Sequence, residues 1–382
     1  MPPAIDPVEL TRDLIRRPSV TPADAGAMAI VEATLSGLGF TCRRMRFGEI
    51  ENLYARYGTA GPNLCFAGHT DVVPVGDAAA WRSDAFGAEV VDGVLIGRGA
   101  VDMKSAIAAF AAATADAIAA GRVTGSISFL ITGDEEGVAT HGTRLVVEAL
   151  AAEGEVIDHC VVGEPTSSET FGDMVKVGRR GSINAEIVVE GVQGHVAYPH
   201  RAANPVPVLV KLLSALQDRQ LDEGYPEFQP SNLEVTMVEA PNTATNVIPG
   251  VARARLNIRF NPNHTGQQLA DWFELEAWRV AVGFGGTITI IPQISGEAFL
   301  TERGPFTDLV AAAVADVTGA APELSTSGGT SDARFIRALC PVIEVGLVGK
   351  TMHQVDERAP VAEIRTLQQV YARIIARYFA QS

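Results

Sequence analysis

The sequence is poor in cysteine, and this shortage argues against two classes of protein. It has 4 cysteines among 382 residues, and no two of them are spaced as C-x-x-C, so neither a disulfide scaffold nor a zinc ribbon is indicated. The four are Cys42, Cys65, Cys160 and Cys340. Because several stand in apolar runs such as NLCFAG and DHCVVGEP, we expect buried, reduced thiols and a reducing compartment.

The sequence also lacks an apolar run long enough to cross a membrane, which takes about 20 helical residues. The longest alanine-rich stretch, residues 106–120, is interrupted by Asp116 and indicates a helix of a soluble protein. The first residues, MPPAIDPVELTRDLIRR, lack the apolar core of a signal peptide. We therefore expect a cytoplasmic protein with no membrane partner.

Basic residues are scarce relative to acidic ones. There are 30 Lys and Arg against 45 Asp and Glu, which gives a formal net charge of -15. This balance argues against nucleic acid as a partner, because phosphate backbones require clustered basic residues. An anionic small molecule would need a local basic patch.

Short, nearly continuous apolar runs alternate with helical periodicity at both ends of the chain. This pattern is typical of an α/β layer in which helices flank a mostly parallel central sheet. The predicted strands are residues 64–67, 126–131, 159–162 and 341–347, and the predicted helices are 6–17, 24–38, one starting near 103, 305–318 and 361–379.

The pattern changes in the middle of the chain. In order, it predicts strand 182–190, helix 204–220, strands 233–240 and 252–260, helix 267–282 and strand 287–294. The order β-α-β-β-α-β is the ferredoxin-like arrangement. The sequence therefore predicts one α/β domain of residues 1–179 and 294–382, and a ferredoxin-like α+β domain inserted at residues 180–293.

Five predicted strands, the four given above and the apolar run 94–98, are followed by histidine or carboxylate residues. These residues are His69 and Asp71, Asp102, the triplet Asp134-Glu135-Glu136, Glu164, and His353. Ligands of open α/β sheets bind at the carboxyl ends of the strands, so we expect the five segments to meet at one edge. Two imidazoles and several carboxylates packed together require cations, which predicts a site for two divalent metals.

Each of these residues taken alone has an ordinary explanation. Asp102 would serve as a helix N-cap, His353 as a surface loop residue, and the acidic triplet as a solvated turn. Within H-x-D, Asp71 is placed to orient the ring of His69. Five independent coincidences at five strand ends are harder to accept than one shared site.

Four strings resemble the zinc-dependent aminoacylase and carboxypeptidase family of co-catalytic metallohydrolases: GHTDVVPVG, GRGAVDMK, DEEG and VGEPT. They follow the family's order, and the similarity covers essentially the whole chain. The resemblance implies that each subunit binds two zinc ions, for which cobalt can substitute. It implies that a zinc-bound water hydrolyses the amide bond of a small anionic acyl-amino-acid substrate. It also implies that the α/β domain is catalytic and that the inserted domain is a lid that forms a homodimer.

The resemblance assigns the metal ligands residue by residue. It implies that Asp102 bridges both ions, that His69 and Glu164 complete one metal site, and that Glu136 and His353 complete the other.

The resemblance implies three further catalytic roles. Glu135 would be the general base, although spacing alone does not distinguish Glu135 from Glu136. Asp71 would support His69. His195, in GVQGHVAYPH, would reach the active site of a partner subunit and stabilise the oxyanion.

Several polar residues are candidates for binding the substrate. They are Arg179, Ser182, Asn246, Arg259 and the turn Gly328-Gly329-Thr330. Arginine forks and exposed backbone N–H groups both suit carboxylates. Arg259 lies in the alternating strand ARARLNIRF, where a solvent-facing role is equally good. The residue before Asn246 is Thr245, and at position 245 we expect Asn in some close relatives.

Three interpretations of function follow. The strings VKVGRRGSI, SGGTSDARFI and TMHQVDERA favour a family member that removes a succinyl group. The first alternative is a sister enzyme with the same metal site, such as acetylornithine deacetylase or another N-acyl amino acid amidohydrolase. The second is a non-catalytic binding protein on the same fold, which would lack the base or a ligand. A nucleotide site is excluded because GGTSDARF lacks the lysine and spacing of a P-loop.

Overall fold

The structure is a computed structural model that describes residues 4–380, and the chain divides into two compact units. The first unit contains the described residues of Met1–Val177, Thr301–Ser325 and Ser331–Ser382. The second unit is formed by Gly178–Leu300 together with Thr326–Thr330. The predicted insertion, residues 180–293, lies within the second unit.

The chain forms its helices and strands in three passes. The first pass, in the first unit, contains α1 (Pro7–Ile15), α2 (Ala27–Gly37), β1 (Thr41–Phe47), β2 (Ile50–Tyr57), β3 (Asn63–His69), β4 (Glu89–Val91), β5 (Val94–Ile96), α3 (Lys104–Ala119), β6 (Ser126–Thr132), α4 (Thr143–Ala152), β7 (His159–Val162) and β8 (Met174–Lys176). The second unit contains β9 (Gly178–Arg179), β10 (Gly181–Glu190), β11 (Gly194–His195), α5 (Pro205–Gln217), β12 (Asn232–Glu239), β13 (Val247–Ile248), β14 (Val251–Phe260), α6 (Gly266–Ala281), β15 (Thr287–Gly296) and β16 (Phe299–Leu300). The return to the first unit adds α7 (Pro305–Thr318), β17 (Glu323–Ser325), α8 (Ala333–Ile336), β18 (Val342–Glu344), β19 (Arg358–Pro360) and α9 (Val361–Ala380). Short 3-10 turns occur at Ala78–Ala80, Pro199–Arg201 and Gly349–Thr351.

The first unit is built on an eight-stranded sheet in the order β1-β2-β6-β3-β7-β18-β8-β17. Its centre, β6-β3-β7-β18, is parallel. The pairs β1-β2, β2-β6 and β18-β8 are antiparallel, which makes the sheet mixed. The predicted α/β class with flanking helices is confirmed.

The central strands are apolar throughout because they are buried along their whole length. Every residue of β3 and β6 is buried, as expected of strands covered on both faces. The alanine-rich helix α3 lies in the same core, where Phe110 stacks on Phe66 of β3 with 4.5 Å between ring centroids and meets Phe129 of β6 edge-on at 5.3 Å. This packing holds β3 and β6 in place, and the polar loops begin at the carboxyl ends of these strands.

Strand β5 lies outside the central sheet. It belongs to a separate three-stranded sheet in the order β19-β5-β4. The expectation that all five polar segments follow neighbouring strands of one sheet is therefore wrong for Asp102. It holds for the segments after β3, β6, β7 and β18, which are the four parallel neighbours.

The second unit has the predicted ferredoxin-like fold. Its elements follow the chain order β10-α5-β12-β14-α6-β15. The four strands form an antiparallel sheet in the order β12-β14-β10-β15, and α5 and α6 share one core with this sheet. Local signals start both helices: the Asn204 side chain accepts the N–H of Val206 at 3.1 Å, and Thr265 with Gln268 forms a capping box.

The cysteine side chains lie in the apolar surroundings that their sequence context predicted. The four cysteines are free, three of them are buried and Cys42 is partly buried. Within residues 4–380, no helix combines the length and the apolar character needed to span a bilayer.

Candidate metal centre

Four loops at the carboxyl ends of the parallel strands carry the polar cluster of the first unit. His69 is the last residue of β3, the acidic triplet follows β6, and Glu164 follows β7. His353 follows β18 after a longer loop and has a φ of 62°, a left-handed conformation that is uncommon for residues other than glycine. Asp102 enters the cluster from the turn before α3.

The first group of ligand atoms comes from His69, Asp102 and Glu164. Nε2 of His69 lies 3.1 Å from Oδ1 of Asp102 and 3.8 Å from Oε1 of Glu164. The other ring nitrogen, Nδ1, lies 2.9 Å from the backbone oxygen of Asp71. A carbonyl oxygen can only accept, so Nδ1 carries the hydrogen and leaves the Nε2 lone pair for a ligand.

The second group comes from Asp102, Glu136 and His353. Nε2 of His353 lies 2.9 Å from Oε1 of Glu136 and 3.3 Å from Oδ2 of Asp102. Asp102 thus turns one carboxylate oxygen towards each group. Within each group, the ligand atoms lie within 4.8 Å of one another.

Burial and like charges oppose ionisation of Glu164, whereas hydrogen bonds favour the charged forms of Asp102 and His353. Burial, followed by the carboxylates of Asp102 and Glu135, raises the pKa of Glu164 well above its usual value. Burial also opposes the charged form of Asp102, but hydrogen bonds with His353 and His69 hold the pKa of Asp102 below its usual range. Hydrogen bonds with Asp102 and Glu136 raise the pKa of His353 to about 10.

The donor set fits two divalent cations. Oε1 of Glu164 is buried and has no hydrogen-bond partner, which is costly for a carboxylate unless a cation satisfies it. Imidazole nitrogen with carboxylate oxygen is a ligand combination that zinc accepts. Two cations would compensate the negative charge of the ligand carboxylates, which burial and neighbouring carboxylates disfavour.

The side chain of Asp71 holds the loop that carries the acidic triplet. Its Oδ1 accepts the backbone N–H of Glu135 at 3.3 Å, and its Oδ2 accepts that of Glu136 at 3.1 Å. The hydroxyl of Thr21 donates to the same Oδ2 at 2.6 Å. The Asp71 carboxylate lies 3.7 Å from Nδ1 of His69, so the hydrogen bond between these two residues uses the Asp71 backbone.

The three members of the triplet differ in position. Glu136 belongs to the second ligand group, whereas the carboxylate of Glu135 belongs to neither group. Asp134 binds its own loop, because its carboxylate accepts the N–H of Ala139 at 3.2 Å and of His141 at 2.9 Å.

The predicted substrate residues all lie in the second unit, where the structure brings some of them together. Nη1 of Arg179 donates to the carbonyl of Gly329 at 3.1 Å. Gly328 has a φ of 101°, and a Cβ there would lie 2.7 Å from Nη1 of Arg179. The Gly-Gly turn that ends at Thr330 is therefore shaped to receive this guanidinium.

His195 and Asn246 also lie next to each other. The β11 residue His195 pairs with Val247 of β13, and the N–H of Val196 donates to the carbonyl of Asn246 at 3.1 Å. Nδ1 of the exposed His195 accepts the N–H of Ala197 at 3.1 Å. Its Nε2 is therefore the hydrogen-bond donor of the ring.

Ser182 and Arg259 are cross-strand partners in the second unit. Sequence reasoning did not single out their neighbours: Asn257 donates to the Ser182 hydroxyl at 3.1 Å, and Arg180 donates to Asn232 at 2.9 Å. Burial, followed by the charge of Arg180, lowers the pKa of Arg259. The strings GRRGS and ARARLNIRF contain these residues, but they are far apart in sequence. They therefore did not indicate that Arg180 and Arg259 lie close together.

Comparison with known proteins gives a family and full-length relatives. Residues 65–377 match the model of peptidase family M20/M25/M40. The chain is 85% identical over 380 residues, 100% of both chains, to a protein of Phenylobacterium zucineum (strain HLK1) named succinyl-diaminopimelate desuccinylase. It is 71% identical over 377 residues to a protein of the same name from Caulobacter vibrioides (strain NA1000 / CB15N), covering 99% and 97% of the two chains. A crystal structure of an M20 family metallo-carboxypeptidase from Sulfolobus solfataricus has a TM-score of 0.80 at 16% identity, covering 98% and 99%; this likeness concerns the fold.

Proposed function

The chain belongs to peptidase family M20/M25/M40, and we propose that it hydrolyses N-succinyl-LL-2,6-diaminopimelate to succinate and LL-2,6-diaminopimelate in bacterial lysine and diaminopimelate biosynthesis. The observation that carries the proposal is the 85% identity, over the whole chain, to a protein named for this activity. Family membership and the ligand groups mark the chain as a metal-dependent hydrolase.

The alternatives are less well supported. Acetylornithine deacetylase was open on the metal ligands alone, but full-length relatives at 85% and 71% identity carry the desuccinylase name. A non-catalytic binding protein is disfavoured because the ligand positions and Glu135 are all filled.

We propose two zinc ions as the cofactor, with cobalt as a substitute. One ion would be held by His69, Asp102 and Glu164, and the other by Asp102, Glu136 and His353. The nitrogen and oxygen donors and the shared Asp102 carboxylate support this assignment. When bound, two such cations supply an activated water and polarise the scissile carbonyl.

Within the chain, Glu135 is our candidate for proton transfer. Its carboxylate is outside both ligand groups, on a loop whose N–H groups are tied to Asp71. We propose that this carboxylate accepts a proton from the attacking water and delivers it to the departing amide nitrogen. Asp71 supports His69 through its backbone oxygen.

We propose that second-unit residues recognise the substrate. Arg179, the turn Gly328-Gly329-Thr330, Ser182, Asn246 and Arg259 are the candidates. The fit of Arg179 against the Gly-Gly turn supports a preorganised guanidinium, and arginine suits the carboxylates of this substrate. We assign the oxyanion to Nε2–H of His195, acting from a partner subunit.

We further propose that the protein is a cytoplasmic homodimer that associates through the second unit. Helix α6 and the residue after it support this assembly, because they expose three large apolar side chains: Leu275 is 46% exposed, Trp278 70% and Val282 76%. Clustered apolar residues of this size mark interaction surfaces. The free thiols support a reducing compartment.

The test of the proposed function is hydrolysis of N-succinyl-LL-2,6-diaminopimelate by purified protein, with metal content measured on the same sample. We expect two zinc ions per chain, loss of activity on chelation, and recovery with zinc or cobalt. N-acetylornithine is the matched control substrate. Preferential deacetylation, or full activity without metal, would refute the proposal.

A further inference from the structure

Two charged residues outside the ligand groups form a fully buried ion pair in the first unit. Arg98 follows β5, and Glu357 precedes β19. Nη1 of Arg98 lies 2.8 Å from Oε2 of Glu357, and their side chains are 2% and 0% exposed. Buried ion pairs contribute little net stability, because desolvation offsets the attraction. Stability alone is therefore a weak reason for this pair.

Glu357 binds the turn that carries the shared ligand Asp102. Its Oε1, the oxygen not paired with Arg98, accepts the backbone N–H of Val101 at 2.9 Å and of Asp102 at 3.2 Å. The carboxylate thus fixes the backbone from which Asp102 directs one oxygen to His69 and the other to His353. A displacement of this turn would change both ligand groups.

Arg98 binds the loop that carries His353. Nη1 donates to the carbonyl of Gln354, the residue after His353, at 3.2 Å, and Nη2 donates to the carbonyl of Pro74 at 3.2 Å. His353 has a left-handed backbone conformation. Such a conformation persists where the surroundings hold it in place, and the guanidinium is one of those restraints.

We propose that Arg98 and Glu357 are positioning residues that hold Asp102 and His353 at the separation required by the second metal ion. The pair joins two segments that are distant in sequence and that each supply one ligand. Arg98 contacts the His353 loop, Glu357 contacts the Asp102 turn, and their ion pair connects the two. The inference rests on the proposed metal centre.

The test is a calorimetric titration of metal-free protein with zinc, comparing the wild type with Glu357→Gln. A glutamine side chain has one acceptor oxygen, so it cannot serve both the guanidinium and the two N–H groups. We expect affinity for the ion held by Asp102, Glu136 and His353 to fall about 10–100-fold, the usual range for residues behind metal ligands, and affinity for the other ion, which also uses Asp102, to fall by less. The ligand variant Glu136→Gln should weaken the same ion, whereas Glu164→Gln should weaken the other.

Two further variants separate positioning from general destabilisation. Arg98→Lys keeps the charge, but a single ammonium cannot reproduce the planar fork that reaches both Gln354 and Pro74, so it should show the same selective loss. Glu155→Gln removes a carboxylate paired with Arg56 elsewhere in the unit and should bind both ions normally. Amide hydrogen exchange over residues 353–357 should increase in the Arg98 and Glu357 variants only.

The outcomes separate this inference from the proposed function. If the wild type binds two ions and Arg98→Lys binds both with wild-type affinity and unchanged exchange at 353–357, the positioning role is wrong. The same conclusion follows if Glu155→Gln loses metal affinity as strongly as Glu357→Gln. If the wild type itself binds no metal, the proposed function fails first.

Discussion

Asp71 makes two kinds of contact at the candidate centre. Its backbone oxygen is bonded to Nδ1 of His69, whereas its carboxylate accepts the N–H groups of Glu135 and Glu136. A side-chain substitution therefore affects the second contact and spares the first. The H-x-D spacing suggested only an orienting role for the carboxylate, because a sequence pattern does not reveal which atoms meet.

We expect Asp71→Asn to reduce turnover about 10–100-fold, since an amide keeps one acceptor oxygen and leaves the loop of Glu135 partly unbound. Steady-state kinetics and hydrogen exchange over residues 134–137 measure the effect. Thr21→Val is the matched control: it removes only the hydroxyl donor to the same carboxylate and should have a smaller effect. Wild-type turnover and exchange in Asp71→Asn would contradict the prediction.

The adjacent residues Glu135 and Glu136 should fail in different ways. Glu135→Gln removes the proton acceptor with little change of shape, so turnover should fall about 10²–10⁴-fold while both metals remain bound. Glu136→Gln removes charge from the second ligand group, so one metal should bind more weakly. Metal analysis alongside kinetics distinguishes them. Retained turnover in Glu135→Gln would show that the base is another residue.

At the scale of helices and strands, apolar periodicity predicted the buried central elements and the whole ferredoxin-like order. Strand β7 was predicted at its observed bounds. Strand β1 was missed because TCRRMRF is polar and lies at the sheet edge, where burial does not impose a pattern. Helix α4 was missed because its N-cap residue is Gly142, which has no side chain to cap the helix, so the usual start signal is absent.

The candidate site was predictable in composition but not in its supporting contacts. Strand ends followed by His or carboxylate predicted the convergence of the segments after β3, β6, β7 and β18. Asp102 reaches the cluster from the turn after β5, which belongs to a different sheet. The sequence did not predict this, because a strand of three residues does not indicate which strands it pairs with. The pairing of Arg98 with Glu357 spans too much sequence for any local pattern to reveal it.

The connection between α5 and β12 contains a partly buried carboxylate, Asp222, that should make the second unit acid-sensitive. Oδ1 of Asp222 accepts Asn261 Nδ2 at 2.6 Å and Gly224 N at 2.8 Å, and Oδ2 lies 3.0 Å from Nε2 of His264. Burial opposes the charge, but hydrogen bonds from Ser231 and Asn261 outweigh it and lower the pKa of Asp222 to about 2.

A pKa below that of the unfolded state contributes stability above the unfolded pKa, and this contribution is lost as pH falls through the folded pKa. We expect Asp222→Asn to destabilise the protein by about 1 kcal/mol at neutral pH, because solvent screens this partly exposed carboxylate, with the difference shrinking between about pH 4 and pH 2. Thermal unfolding across that range measures it. A pH-independent difference would mean that the charge is irrelevant.

At the scale of the whole molecule, the exposed apolar side chains of α6 give the proposed dimer a testable surface. Trp278 is 70% exposed, and burying a carboxylate against a partner is costly. Trp278→Glu should therefore shift the protein to monomers in sedimentation experiments, with thermal stability of the monomer retained. A solvent-facing substitution on the same helix, Arg279→Glu, is the control. An unchanged dimer would place the interface elsewhere.

The dimer should be required for activity, because we assign the oxyanion to His195 of a partner subunit. An imidazole N–H that meets charge only in the transition state should affect kcat far more than KM, and loss of one such donor lowers kcat about 10²–10³-fold.

His195→Ala and Glu135→Gln should each be inactive alone. In an equal mixture, half of the dimers are heterodimers and one of their two sites combines an intact Glu135 with an intact His195, so activity should return to about a quarter of wild type. A mixture of either variant with itself is the control. If subunits exchange, as followed by mass spectrometry, and activity stays at the level of the single variants, His195 does not act across the dimer.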